Sequence, residues 1–212
     1  GVTLAGSRSK PARLIRQHIN EMGCTDGQST LVGVGSKSIA PFAALANGLA
    51  AHADDFDDTQ VASRPDRAKA LLTHPTSPVL ASALAVAEEI EASGRELFTA
   101  FIVGQEVECK IAETIDPRHS MQGFHSTGTI GVFGAAAAVA KLLGVSRHQA
   151  RCALGIAAST GAGIRTNFGT MTKSYHCGAA AKNGVVAARL ASLGYIADES
   201  ALDGPWGFFQ VA

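Results

Sequence analysis

Four carboxylates crowd into five positions of His52-Ala-Asp-Asp-Phe-Asp-Asp-Thr59, and Thr73-His74-Pro75 closes the loop that follows. Like charges this close repel and raise one another's pKa, so a fold keeps them together only with cations, hydrogen bonds or water in compensation. A solvated acidic helix end has the same composition, and the run alone does not separate the two readings. Elsewhere, His125 lies in Gly123-Phe-His-Ser-Thr-Gly128, a turn leading into a helix, where the dipole and free N–H groups favour an anion. Lys173 and His176 stand three apart in Gly169-Thr-Met-Thr-Lys-Ser-Tyr-His-Cys-Gly178 and share a face if that segment is a first helical turn. Cations of this kind hold carboxylates, and they stabilise the negative charge that builds when a proton leaves a carbon beside one. Histidine titrates near neutral pH and suits the transfer of that proton.

Other chemistries fit less well. His52, the carboxylates and His74 could be drawn as a metal site, but the spacing matches no metal loop. Asp-x-Asp-Asp lacks the alternation and glycine of a calcium loop, so no metal is expected. Neither a dinucleotide nor a phosphate-loop motif is present, and Ser126 and Ser159 lack a nucleophile elbow.

The elements that must position these residues read as helices. Ser9-Lys-Pro11 opens a helix through Leu14, Ile15, Ile19 and Met22, and a β-prone Thr30–Val34 suggests a short strand or hairpin. Ser38 is placed to cap a helix through Phe42, Leu45 and Leu49 towards His52, and Ser77-Pro78 to restart one through Leu80 and Leu84. Ser93…Glu96 and Ser146…Gln149 have capping-box spacing. An Ala/Gly helix follows His125, and the last helix runs from about Tyr175 to Leu193. About seven helices are expected in an all-α, antiparallel multi-helix domain with at most a short N-terminal hairpin. The polar loop Gln60–Thr73, with Arg64, Arg67 and Lys69, is expected to be mobile.

The 212 residues carry 18 Lys+Arg against 18 Asp+Glu, which leaves no basic footprint for nucleic acid or an anionic membrane. No apolar run argues for a membrane span, and Gly131–Leu143 is short and broken by Lys141. The N-terminus lacks signal-peptide order, and four scattered cysteines read as reduced, mostly buried thiols, so a cytoplasmic location is expected. Both ends read as cut.

Taken in order, these blocks resemble the MmgE/PrpD family, which includes 2-methylcitrate dehydratases, cis-aconitate decarboxylases and iminodisuccinate epimerases. The resemblance runs over nearly the whole chain: Ala46-Asn-Gly, His52 to Thr59, His74-Pro75, Gly123 to Gly128, Gly169 to Gly178 and Lys182-Asn-Gly184. It implies that residues 1–212 form the helical domain of a homodimeric enzyme whose α+β lid domain is missing from this chain. The implied chemistry acts on small anionic di- and tricarboxylates without a cofactor. Carried over by position, catalytic roles fall on Asp55, His125 and Lys173, and substrate binding on Thr59, His74 and His176. The interval from Thr59 to His74 departs from the family pattern by an insertion around Arg64 to Leu72. The expected function is a lyase that dehydrates a hydroxylated di- or tricarboxylate such as 2-methylcitrate, in propionate metabolism. Epimerase or decarboxylase activity on a related acid is the alternative, as is a non-catalytic helical binding protein.

Overall fold

The computed structural model describes residues 1–61 and 72–212. The long helices are α2 (Lys10–Glu21), α3 (Ala40–Ala51), α4 (Thr76–Glu89), α5 (Gly94–Ile115), α7 (Ser126–Leu142), α8 (Arg147–Ala158) and α9 (Met171–Ser192). Short helices α1 (Val2–Gly6), α6 (Arg118–Met121) and α10 (Phe208–Val211) fill corners. Strands β1 (Ser29–Thr30) and β2 (Lys37–Ser38) pair antiparallel in one small hairpin. The all-α expectation holds, and the hairpin falls where β-prone residues suggested one. Among the described residues, no helix is long and apolar enough to cross a membrane. The expectation of a mobile Gln60–Thr73 loop falls mostly on residues outside those described.

Helix α9 packs against both α3 and α7 at the centre; α4 lies against all three, α5 against α7, and α8 against α7 and α9. Their Ala- and Gly-rich sequences explain the closeness, because bare backbones approach where larger side chains cannot. A Cβ on Gly178 of α9 would run into the carbonyl of Leu45 on α3. On α7, a Cβ at Gly134 would sit 2.7 Å from both Val79 Cγ2 and Glu108 Oε2. Gly134→Val is therefore expected to destabilise the fold by about 1–3 kcal/mol, the usual cost of overpacking a filled core. Urea denaturation measures this; an unchanged midpoint would mean that α5 can move away freely.

Local signals decide the helix ends where both partners are close in sequence. Ser93 with Glu96 and Ser146 with Gln149 form complete capping boxes. Two other serines were misjudged as caps. The residue before α3 is Ile39, and Ser38 instead gives its hydroxyl to the Cys24 carbonyl. Helix α4 starts after Pro75, and Ser77 sends its hydroxyl to Asp57 at 2.6 Å. In both cases a buried acceptor from another segment takes the hydroxyl. The four cysteines are free, but only Cys152 and Cys177 are buried, Cys24 and Cys109 being partly exposed.

Candidate active site

Helix ends bring the chemistry together. His52 follows the last turn of α3 and is buried, at 1% exposure. The chain then reverses through Asp55, whose φ of 59° lies in the left-handed region that Asp tolerates better than most residues. That reversal separates the carboxylates: Asp55 reaches the cleft with its side chain 54% exposed, while Asp57 turns inward with 2% of its side chain exposed. His74 is pinned from both sides of its peptide. Its N–H donates to Thr127 Oγ1 at 3.2 Å, and Thr73 Oγ1 donates to Glu108 Oε1 at 2.6 Å. Glu108 is fully buried, which raises its pKa well above the usual range and favours the neutral acid. His125 immediately precedes α7, held by its N–H on the Gly163 carbonyl at 3.0 Å. Lys173 is the third residue of α9, and His176 lies one turn further on.

Asp57 is the most tightly held group. His52 Nδ1 lies 2.9 Å from Asp57 Oδ2, Ser77 Oγ donates to the same oxygen at 2.6 Å, and His74 Nδ1 stands 3.5 Å from Oδ1. Burial alone would raise its pKa, but the hydrogen bonds from His52, His74 and Ser77 outweigh it and hold the carboxyl well below the usual range. The Lys173 ammonium donates to Asp55 Oδ1 at 2.6 Å. His74 Nε2 lies 4.0 Å from that oxygen, and Thr59 Oγ1 lies 3.5 Å from His74 Nδ1. Burial works to lower the pKa of His74, yet Asp57 and Asp55 together raise it.

His125 and His176 behave in the opposite way. His52 stacks on His125 with centroids 5.5 Å apart, and His125 Nδ1 meets His176 Nδ1 at 3.0 Å. Burial, reinforced by neighbouring His52, His176 and Lys173, pushes the His125 pKa down to about 2. Burial also lowers that of His176. This pair is thus neutral, one nitrogen donating to the other. The Phe168 ring lines the cleft, its centroid 4.9 Å from that of His125, with Lys173 Nζ 5.2 Å and Arg165 Cζ 5.6 Å from it.

Of the residues singled out in the sequence, Asp55, Thr59, His74, His125 and Lys173 line one cleft of roughly 340 Å³. His176 stands behind His125 rather than in the cleft wall. Thr59 faces His74 as well as the open space, so it touches a site residue directly. Sequence reasoning missed Asp57, Arg165 and Phe168. Asp57 was indistinguishable from its acidic neighbours, and Arg165 sat in a glycine-rich turn with no pattern around it. Among the described residues, His52, Asp55, Asp57 and His74 offer atoms within 4.8 Å of one another, the place where a cation could be held. Within that group Lys173 donates to Asp55, and His52 Nδ1 lies against Asp57.

The family described as MmgE/PrpD N-terminal domain matches residues 1–212. The cis-aconitate decarboxylase of Homo sapiens is 38% identical over 172 residues, 79% of this chain and 34% of that protein. The Mus musculus enzyme of the same name is 33% identical over 214 residues, 98% of this chain and 42% of that protein. A cis-aconitate decarboxylase of Aspergillus terreus is 30% identical over 190 residues, covering 86% of this chain and 37% of that protein. The chain thus spans well under half the length of these relatives.

Proposed function

The chain belongs to the MmgE/PrpD family, and from that premise we propose that the full-length protein is a lyase acting on a small tricarboxylate, with decarboxylation of a cis-aconitate-type acid as its reaction. The observation that carries the choice is the contrast between two histidines. His74, raised by Asp57 and Asp55, is a proton donor near neutral pH, whereas His125, pushed down to about 2, is a poor base. Decarboxylation needs a donor and no strong base. Carbon dioxide leaves from the methylene-bearing carboxylate, and the electron pair of the broken C–C bond forms a new double bond. The old double bond shifts its electrons onto the carbon beside the other terminal carboxylate. There the proton from His74 Nε2 makes the new C–H bond, and solvent reprotonates the imidazole. Lys173 and Arg165, on either side of Phe168, would hold two carboxylates, and Lys173 would stabilise the charge as it grows.

Dehydration of 2-methylcitrate is the second reading. It needs a base, and the cleft wall offers the buried His125, whose pKa would rise once a bound polyanion came close to it. The relatives' printed activity favours the first reading. A homodimer is part of the proposal, and the molecular mass in solution checks it. The deciding assay incubates full-length protein with cis-aconitate and, separately, with 2-methylcitrate, following released carbon dioxide and proton NMR of the products. Carbon dioxide from cis-aconitate supports decarboxylation; an unsaturated acid from 2-methylcitrate without carbon dioxide makes the enzyme a dehydratase. Inertness towards both, and towards other di- and tricarboxylates, would leave a binding protein.

Arg165 provides a check on substrate size. Its guanidinium donates to the Ser120 carbonyl at 3.0 Å, which steadies it at the rim. Arg165→Ala should raise KM for a tricarboxylate by roughly ten- to a hundredfold, the worth of one charge-assisted hydrogen bond, with a smaller effect on kcat. An unchanged KM would remove Arg165 from the binding site.

A further inference from the structure

The reaction written above uses His74 but leaves the most heavily bonded group of the site, Asp57, without a part. We propose that Asp57 is the positioning residue of the site: its buried carboxylate takes the Nδ1–H of His74, fixing the ring so that Nε2 carries the mobile proton towards the substrate. The inference rests on the reading of His74 as that proton's carrier.

Three features point the same way. The carboxylate is engaged at both oxygens: Oδ2 takes Ser77 Oγ at 2.6 Å, His52 Nδ1 straddles the two at 2.9 Å from Oδ2 and 3.1 Å from Oδ1, and Oδ1 also faces His74 Nδ1 at 3.5 Å. The donors come from different segments, and Ser77 gives up the capping role open to it at the start of α4. A carboxylate with 2% of its side chain exposed is costly to keep charged, and donors converging on it are what make that state tolerable. Asp55 cannot take the same part. It is half exposed, is already paired with Lys173 at 2.6 Å, and lies 4.0 Å from the other nitrogen of His74.

Among the described residues, the turn after α3 brings Asp55, Asp57 and the His52 ring, whose centroid lies 4.7 Å away, to His74; His125 faces it from the start of α7, and Lys173 from α9. The two carboxylates favour the imidazolium, and Lys173 opposes it. Thr59 Oγ1, at 3.5 Å from Nδ1, can accept from the same N–H and supports the same tautomer. When Nε2 gives up its proton, the neutral ring keeps Nδ1–H on Asp57, which stays ionised throughout. The next proton therefore returns to Nε2, on the substrate side.

The test is Asp57→Asn in the full-length enzyme, with cis-aconitate or whichever carboxylate is turned over. An amide can offer its N–H to Nδ1 and select the wrong tautomer, and loss of the correct one in a comparable Asp–His pair costs about four orders of magnitude in kcat. The expected result is a fall in kcat of a hundredfold or more with KM changed less than about threefold. The alkaline limb of the pH–kcat profile should move to lower pH, because the imidazolium has lost its counter-charge. A fall in kcat with that limb unmoved, or a loss no larger than the unfolded fraction, would overturn the proposal. Should the variant not fold, nitrogen NMR of the wild-type histidines decides. His74 must be the Nδ1–H tautomer when neutral, and an Nε2–H tautomer overturns the proposal. The tautomer does not depend on activity. An inert protein with Nδ1–H on His74 retains the positioning role and loses the reaction, and an active one with Nε2–H does the reverse.

Discussion

Lys173→Ala, in the full-length enzyme, is expected to lower kcat/KM by about two to three orders of magnitude while leaving the melting temperature close to that of wild type. Lys173 sits in the first turn of α9, where a cation opposes the helix dipole, so its removal relieves an unfavourable interaction. Its partner Asp55 is half exposed and can be rehydrated, which keeps the loss of the 2.6 Å ion pair cheap. In the reaction the same ammonium faces a substrate carboxylate whose charge grows at the transition state. Removing one such donor costs roughly 2–4 kcal/mol, hence the two to three orders of magnitude. A melting curve paired with kcat/KM tells the outcomes apart. A normal rate with a lowered melting temperature would make Lys173 a structural residue.

The asymmetry between cheap folding and costly catalysis also explains what could be read from the sequence. Features whose partners lie within a turn of one another were legible: the capping boxes at Ser93 and Ser146, the helical spacing that puts Lys173 and His176 on one face, and the Ala/Gly helices that must pack closely. Features set by tertiary partners were not. Nothing near Ser38 announces the Cys24 carbonyl, and nothing near Ser77 announces a carboxylate twenty residues earlier. The acidic run shows the limit most clearly. Its composition suggested a site or a solvated helix end, and the structure divides it between exposed and buried carboxylates. The left-handed turn at Asp55 exposes one carboxylate and buries Asp57 two residues later. That division depends on a backbone reversal that turns Asp57 back onto His52, and on His74 and Ser77 arriving from beyond the following loop, none of which spacing reveals. Five of the six residues named from the family blocks line one cleft, with His176 behind His125, because the blocks fall after α3 and at the starts of α4, α7 and α9.

His74→Gln should have an effect at least as large as that of Lys173→Ala, with a different signature. A glutamine can still donate to Asp57 and fill most of the ring's space, but it cannot carry a proton at any working pH. General acid catalysis contributes about two to four orders of magnitude, so kcat is expected to fall by roughly a thousandfold with little change in KM. The wild-type enzyme should lose activity as pH rises through the raised pKa of His74, and the residual activity of the variant should lack that alkaline limb. Stability gives a second, independent readout. Because the folded-state pKa lies above the unfolded one, the imidazolium's stabilising contribution is fully present below the unfolded value. It is lost as pH rises through the folded value. The urea midpoint of His74→Gln should therefore lie further below wild type at pH 5.5 than at pH 9. If the midpoint gap were the same at both pH values, the Asp57 and Asp55 carboxylates would not be holding a charged ring. If kcat survived as well, the proton would have to come from another group, and among the described residues Lys173, which lines the cleft beside Asp55, is the next to test.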